Sequence, residues 1–273
     1  MISIEAVSLI CLCLIFLGTI FYLWRTLKIL KRQLDEKCQE INLLKKQRNE
    51  LVVNVSHDLR TPLTSIKGYA ETLRNGALHD PEKAEKFLQR IEESANHLTH
   101  LICDTLDLAK LEATNAHLCI QEFSLEDFLE ELNQKFSFLI ARINQKLIIQ
   151  NSIKTLRADK NLVHQALSNL IENAHRYCPE GVEIKIQSSH AQIQDNRWIQ
   201  IEVSDNGPGI PQEDIDRVFE RFYRGEKSRD RSLGGTGLGL AIVKHIMIAH
   251  GGHIRVKSEL HKGTTFTLLF PAE

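Results

Sequence analysis

The sequence predicts a membrane-anchored helical rod that leads into an all-α hairpin and then an α+β two-layer sandwich. Three observations carry that prediction. An uncharged run lies near the start, and apolar residues then recur at helical spacing with no glycine or proline from Arg25 to Thr61. After residue 118, short strand-like segments and amphipathic helices mix without strict alternation.

Ala6 to Trp24 are 19 consecutive positions without a charge. As a helix they span roughly 28 Å, close to the ~30 Å hydrocarbon thickness of a bilayer. Tyr22 and Trp24 suit an interfacial belt, and Arg25, Lys28, Lys31 and Arg32 follow at once, whereas only Glu5 is charged on the other side. The positive-inside rule therefore places the C-terminal bulk in the cytoplasm. A cleaved signal peptide would need positive charge before the run and a small-residue site after it, and both are missing. The expected order is an extracytoplasmic tail at 1–5 and a single transmembrane helix at 6–24. So short a tail cannot fold into a ligand-binding domain, and any stimulus is expected through the span, the cytoplasm or a partner.

Residues 25–50 form the expected coiled-coil linker. Heptad positions 27, 34, 41, 48, 55 and 30, 37, 44, 51 are apolar except Lys37 and Arg48. Such a two-stranded rod implies a homodimer and a route for rotation or register shift.

A helical hairpin is expected over 51–113. Its first helix carries Leu51, Val55, Leu59, Leu63, Ile66 and Leu73 as a core stripe, and Pro62 is expected to bend it just beyond His57. Asn75-Gly76 and Asp80-Pro81 are turn signals. The second helix repeats Ala84, Phe87, Leu88, Ile91, Ala95, Leu98, Ile102, Leu106 and Ala109 at three- and four-residue intervals. Two such hairpins bury their stripes as a four-helix bundle in the dimer.

Over 118–273 strands are expected near 118–123, 146–150, 182–187, 198–203, 252–257 and 264–270. Helices are expected near 125–144, 160–177 and 238–250. The chain ends three residues after the last strand, with no further domain expected.

Bulk numbers set limits on function. With 273 residues there is room for about two domains. Lys plus Arg number 34 and Asp plus Glu 35, a net charge of −1, which argues against direct nucleic-acid binding. The six cysteines (11, 13, 38, 103, 119, 178) form no C-x-x-C pair and are expected to be reduced, with no zinc site.

The candidate chemistry begins at Asn54-Val55-Ser56-His57-Asp58-Leu59-Arg60-Thr61-Pro62-Leu63-Thr64. An exposed imidazole beside a carboxylate is a candidate nucleophile: Asp58 can fix the tautomer and take the ring proton while the other nitrogen attacks. Farther on, Asp205-Asn206-Gly207-Pro208-Gly209 ends a strand. A carboxylate there can accept a hydrogen bond from an exocyclic amine such as that of adenine, and Gly207 and Gly209 let backbone approach a flat ring. Gly234-Gly235-Thr236-Gly237-Leu238-Gly239-Leu240 opens an apolar helix, where free N–H groups and the helix dipole suit phosphate. It is neither a Walker loop nor a Rossmann fingerprint. Asn169 and Asn173 share a helix face, and their amide oxygens suit Mg²⁺; Arg176 can contact phosphate and Tyr177 can pack near the base. The run Val218-Phe219-Glu220-Arg221-Phe222-Tyr223-Arg224, then Lys227, Arg229 and Arg231, looks like a mobile lid, with Arg221 as a further nucleotide contact. Taken singly, these segments also read as a surface His-Asp pair, a turn, a hinge, a polar helix face and a solvated basic loop.

Their order is what discriminates. Histidine box, asparagine box, Asp-x-Gly-x-Gly, Phe-rich box and glycine box together resemble the bacterial sensor histidine kinases, over roughly residues 51 to 271. The resemblance implies a dimerisation and histidine phosphotransfer domain at 51–113 and a Bergerat-type ATP-binding domain at 118–273. It implies ATP and Mg²⁺ as cofactors and a homodimer in the bacterial inner membrane. The phosphoryl group is expected to pass from His57 to an aspartate on a separate response regulator. Thr61, by the same resemblance, orients a water for dephosphorylating that regulator. The departures are upstream: one span where two are usual, and no extracellular sensor. Two rivals stay open, a gyrase- or Hsp90-type ATPase and a non-catalytic membrane scaffold that binds ATP.

Overall fold

The structure, a computed structural model, describes residues 4–112, 118–225 and 235–272; the side chains of residues 4–16, 19–20, 40–41 and 43–51 lie outside that description. The chain divides into two units, Met1–His57 and Asp58–Glu273. Helix α1 runs Ile4–Arg74 and continues unbroken through Pro62. Pro62 lacks an N–H for the Asp58 carbonyl, yet the flanking hydroxyls bond within the helix, Thr64 Oγ1 donating to the Arg60 carbonyl at 2.8 Å.

In the first unit, Leu27, Leu30 and Leu34 of the expected heptad are exposed on a single chain. The remaining apolar heptad positions from Ile41 to Leu51 fall outside the described side chains, as do most of the expected span. Among the described residues no helix is long and apolar enough to cross a membrane.

The second unit begins with the hairpin. A short 3-10 turn at Ala77–His79 and Asp80 lead into α2, Pro81–Glu112. Asp80 Oδ1 accepts the Lys83 N–H at 3.2 Å, and Pro81 occupies the first turn, where its missing N–H costs nothing. Tyr69 and Phe87 stack at 5.6 Å and close the two helices on each other. Leu63, Leu88, Ile102 and Leu106 stay exposed, whereas Leu101 and Leu108 are buried in the core of the following domain. The hairpin therefore carries two apolar faces.

Residues 120–271 build the sandwich. Strands β1 (Ile120–Ser124) and β3 (Thr155–Asp159) pair antiparallel as a small separate sheet. The main sheet has the order β2 (Lys146–Gln150), β4 (Glu183–Ile193), β5 (Asn196–Asp205), β7 (Gly263–Pro271), β6 (His253–Glu259). Only β2 and β4 are parallel, joined through α4. Helices α3 (Leu125–Ala141), α4 (Lys160–Tyr177) and α6 (Gly239–Ala249) pack their apolar faces on the sheet, and α5 is a single turn at Gln212–Ile215. Their caps are legible. Ser124 Oγ accepts the Asp127 N–H at 3.2 Å, and Asp159 Oδ1 accepts Asn161 and Leu162 N–H at 3.1 and 3.2 Å.

Some expected elements need correction. The five residues of β3 have too few apolar positions, Leu156 and Ala158, to announce a strand; pairing with β1 makes one. Strands β4 and β5 extend beyond 187 and before 198, because the outer part of their hairpin is polar and held by cross-strand bonding. Helix α3 ends at Ala141 rather than 144, the chain reversing through Asn144 at φ 53°. Helix α6 starts at Gly239, leaving Leu238 outside it.

Candidate functional site

The expected site residues fall into two groups. His57, Asp58 and Thr61 lie on α1; His57 is exposed, and Asp58 and Thr61 are half-buried. Helical spacing puts His57 and Thr61 on one face.

The second group converges where α4, the end of β5 and the start of α6 meet. Asn169, Asn173, Arg176 and Tyr177 are half-buried on the C-terminal half of α4. Asn169 Nδ2 donates to the Gly239 carbonyl at 3.4 Å, which ties the asparagine face to the glycine loop. A methyl group on Gly235 would come within 3.1 Å of Arg176 Nη1 and 3.3 Å of Tyr177 Oη, so the loop lies directly over both side chains. Gly237 adopts φ +70°, and a Cβ there would meet the Phe222 backbone at 2.9 Å; the Phe222 N–H donates to the Gly237 carbonyl at 2.9 Å. Only glycine satisfies both demands without strain. Helix α6 then begins with no side-chain cap, leaving first-turn N–H groups and the positive dipole end facing the loop.

Asp205 ends β5 half-buried, its Oδ1 accepting the Gly207 N–H at 2.9 Å. Gly209 packs against the Glu259 carbonyl at the β6–β7 turn. Strand β7 enters beside it through Gly263 at φ +103°, and a side chain there would run into the Asp205 backbone. Asp205 thus lies at the end of β5, beside the β6–β7 turn.

Two expected contacts have other partners. Leu238 is fully buried, so its side chain belongs to the core, and its N–H donates to Thr236 Oγ1 at 3.2 Å. Arg221 forms an ion pair with Glu112 at the end of α2, and His245 Nε2 lies 3.4 Å from the same carboxylate. Lys227, Arg229, Arg231 and Gly234 lie outside the described residues. Among the described residues no cluster of histidine, cysteine or carboxylate side chains could hold a metal, and the four described cysteines are free.

Sequence reasoning missed the contribution of α2. Thr236 Oγ1 donates to Asp104 Oδ2 at 2.7 Å, and Gln165 Nε2 donates to Asp107 Oδ2 at 2.8 Å. Burial raises the Asp104 pKa above the ordinary carboxylate value, against the Thr236 hydrogen bond, which lowers it. Burial also lowers the pKa of His245, and of His97 on α2, with Arg224 next in order at His97. Polar residues on an amphipathic helix read as a solvated face, and only the three- and four-residue spacing of Leu101, Asp104 and Leu108 hinted at a shared face.

Comparisons with known proteins match two family domains in the chain. Residues 158–273 match the family of histidine kinase-, DNA gyrase B- and HSP90-like ATPases, and residues 47–114 match the His kinase A phospho-acceptor domain. Sensor histidine kinase WalK of Bacillus subtilis is 36% identical over 228 residues, which are 82% of this chain and 37% of that protein. The phosphate regulon sensor protein PhoR of Pseudomonas aeruginosa is 36% identical over 235 residues, 85% of this chain and 52% of that protein. The chain therefore spans about half the length of these curated relatives, or less. Among solved structures, histidine kinase AdeS of Acinetobacter baumannii superposes with a TM-score of 0.63 at 26% identity, over 79% of this chain and 97% of that one. Histidine kinase ThkA in complex with response regulator protein TrrA gives 0.66 at 26% identity, over 82% of this chain and 61% of that one.

Proposed function

The chain belongs to the sensor histidine kinase family, and we propose that it phosphorylates His57 from Mg·ATP and passes the phosphoryl group to an aspartate of a separate response regulator. The convergence of the asparagine face, the glycine loop and Asp205 on one mouth of the sandwich carries the nucleotide half of this reading.

The residues fit a metal–nucleotide pair. Asn169 and Asn173 offer neutral amide oxygens from one helix face, the donor type Mg²⁺ accepts while keeping most of its waters. The crowding of Gly235 against Arg176 and Tyr177 marks a cradle that a Cβ would fill. When bound, the metal would neutralise charge on the transferring phosphate. Asn173, with Asn169 nearby, holds that ion; the backbone of Gly235, Thr236, Gly237, Leu238 and Gly239 cradles phosphate, with Arg176 beside it. Tyr177 packs by the base, and Asp205 accepts its amine, with Gly207 and Gly209 admitting the ring. Arg221 is assigned to the lid over the nucleotide, where leaving Glu112 would free it.

At the acceptor, Asp58 fixes the imidazole tautomer and takes the proton as the other ring nitrogen of His57 attacks phosphorus and the bond to the leaving ADP oxygen breaks. Positioning and charge neutralisation supply most of the rate. Thr61, one turn on, orients a water that hydrolyses the phosphorylated regulator. The apolar residues that a single chain leaves exposed, Leu63, Leu88, Ile102 and Leu106, suit a homodimeric four-helix bundle, with the heptads of 25–50 as its stalk. A single span at 6–24 in the bacterial inner membrane rests on the sequence pattern alone.

Incubation with γ-labelled ATP tests the core of the reading. Wild type should retain acid-labile, base-stable label, and His57→Gln should retain none. Nucleotide binding without label on either protein would instead favour an ATP-binding scaffold.

A further inference from the structure

Phe222 adopts φ 61°, a left-handed conformation that a residue with a Cβ enters only at a cost. In that conformation its N–H donates to the Gly237 carbonyl at 2.9 Å, and its backbone fills the space where a Gly237 side chain would stand. The glycine loop thus takes its shape against a strained residue, and something must hold that residue in place. The next side chain is held from the α5 segment. Tyr223 Oη donates to Asp214 Oδ1 at 2.5 Å, and the Arg217 guanidinium lies over the ring, 4.2 Å from its centroid. The second carboxylate oxygen faces the same stretch, since a methyl group on Gly225 would come within 2.7 Å of Asp214 Oδ2. Asp214 is anchored in turn by backbone. Its N–H donates to the Pro211 carbonyl at 2.9 Å, and its carbonyl accepts the Arg217 and Val218 N–H at 2.9 and 3.0 Å.

We infer that Tyr223 is a positioning residue for phosphate binding: its hydrogen bond to Asp214 holds Phe222 in the left-handed conformation against which Gly237 and the glycine loop are set. The inference rests on the reading of that loop as the phosphate cradle. Tyr223 acts through the Phe222 backbone, so its influence falls on the phosphates and not on the base.

The test measures, on the full chain, the dissociation constants of ATP and of adenosine, which lacks the phosphates. Wild type should bind ATP more tightly. Tyr223→Phe, which keeps the ring and loses the hydroxyl, should lose about tenfold of that preference through weaker ATP binding, with adenosine unchanged. Asp214→Ala should match it, and Asp214→Asn, which keeps an acceptor oxygen, should stay near wild type. Glycine enters the left-handed region freely, so in a Phe222→Gly background Tyr223→Phe should change the preference less than about twofold. Where that background does not fold, the contrast between the two Asp214 variants decides by the same ratio. Equal loss in both backgrounds, a Phe222→Gly loss as large as that of Tyr223→Phe, or equal weakening of ATP and adenosine would overturn the inference. So would Asp214→Asn as impaired as Asp214→Ala. A wild type that binds ATP no more tightly than adenosine would bring down the phosphate cradle itself, and this inference with it.

Discussion

Asp104 Oδ2 accepts a 2.7 Å hydrogen bond from Thr236 Oγ1, joining the second hairpin helix to the glycine loop across 132 residues of sequence. The same Thr236 oxygen accepts the Leu238 N–H at 3.2 Å, so one hydroxyl sets both the loop's shape and its attachment to α2. Asp104→Ala should lower unfolding stability by about 1–2 kcal/mol through loss of that acceptor. Asp104→Asn, which keeps an acceptor oxygen, should remain near wild type. Urea denaturation of the two variants checks this, and equal losses in both would point to the charge rather than the bond.

Leu101 and Leu108 dock α2 on the sandwich, at 0% and 1% exposure, whereas Ile102 and Leu106 are 45% and 55% exposed. Leu101→Ala should cost about 2–5 kcal/mol of stability by leaving a cavity. Ile102→Ala should cost far less in a single chain and act on dimerisation instead. Denaturation paired with sedimentation reads the two effects separately, and a large loss of chain stability in both variants would refute the division into faces.

Gly237 combines φ +70° with the Phe222 backbone 2.9 Å from where a Cβ would sit. Gly237→Ala therefore strains the loop and displaces the Phe222–Gly237 pair, and ATP affinity should fall at least tenfold, about 1.4 kcal/mol. Gly18→Ala, with open space around it, is the control. Unchanged affinity in Gly237→Ala would remove the loop from the nucleotide site.

Burial lowers the pKa of His97, His164, His175 and His245 below the usual 6.5. For His175, which meets Gln145 Oε1 through Nδ1 at 2.8 Å, Arg176 adds to the burial. A histidine whose folded pKa lies below its unfolded value binds fewer protons when folded. Its contribution is present above the unfolded value and is lost as pH falls from there toward the folded one. Asp104 runs the other way, since its raised pKa favours the folded state as it protonates. Four histidines against one carboxylate predict a lower Tm at pH 5.5 than at pH 7.5. An unchanged or higher Tm at the acid pH would contradict it.

Much of the fold and of the candidate site was legible from local chemistry. Helix α4 spans the 160–177 expected from the sequence, and in the structure the Asp159 carboxylate caps it over its first turn. The asparagine pair, Asp205 with its glycines, and the glycine loop were each visible for the same reason: amide, carboxylate and bare backbone are the groups a nucleotide and its metal demand. The sequence by itself determined those elements and the candidate residues for the chemistry. Tertiary structure alone decided β3, whose two apolar residues become a strand only against β1, and the burial of Leu238, which its place in the loop did not reveal. It also decided that Arg221 meets Glu112 and that Asp104 holds Thr236. Such pairings form between segments far apart in the chain, so their energy depends on packing and desolvation that no local pattern encodes.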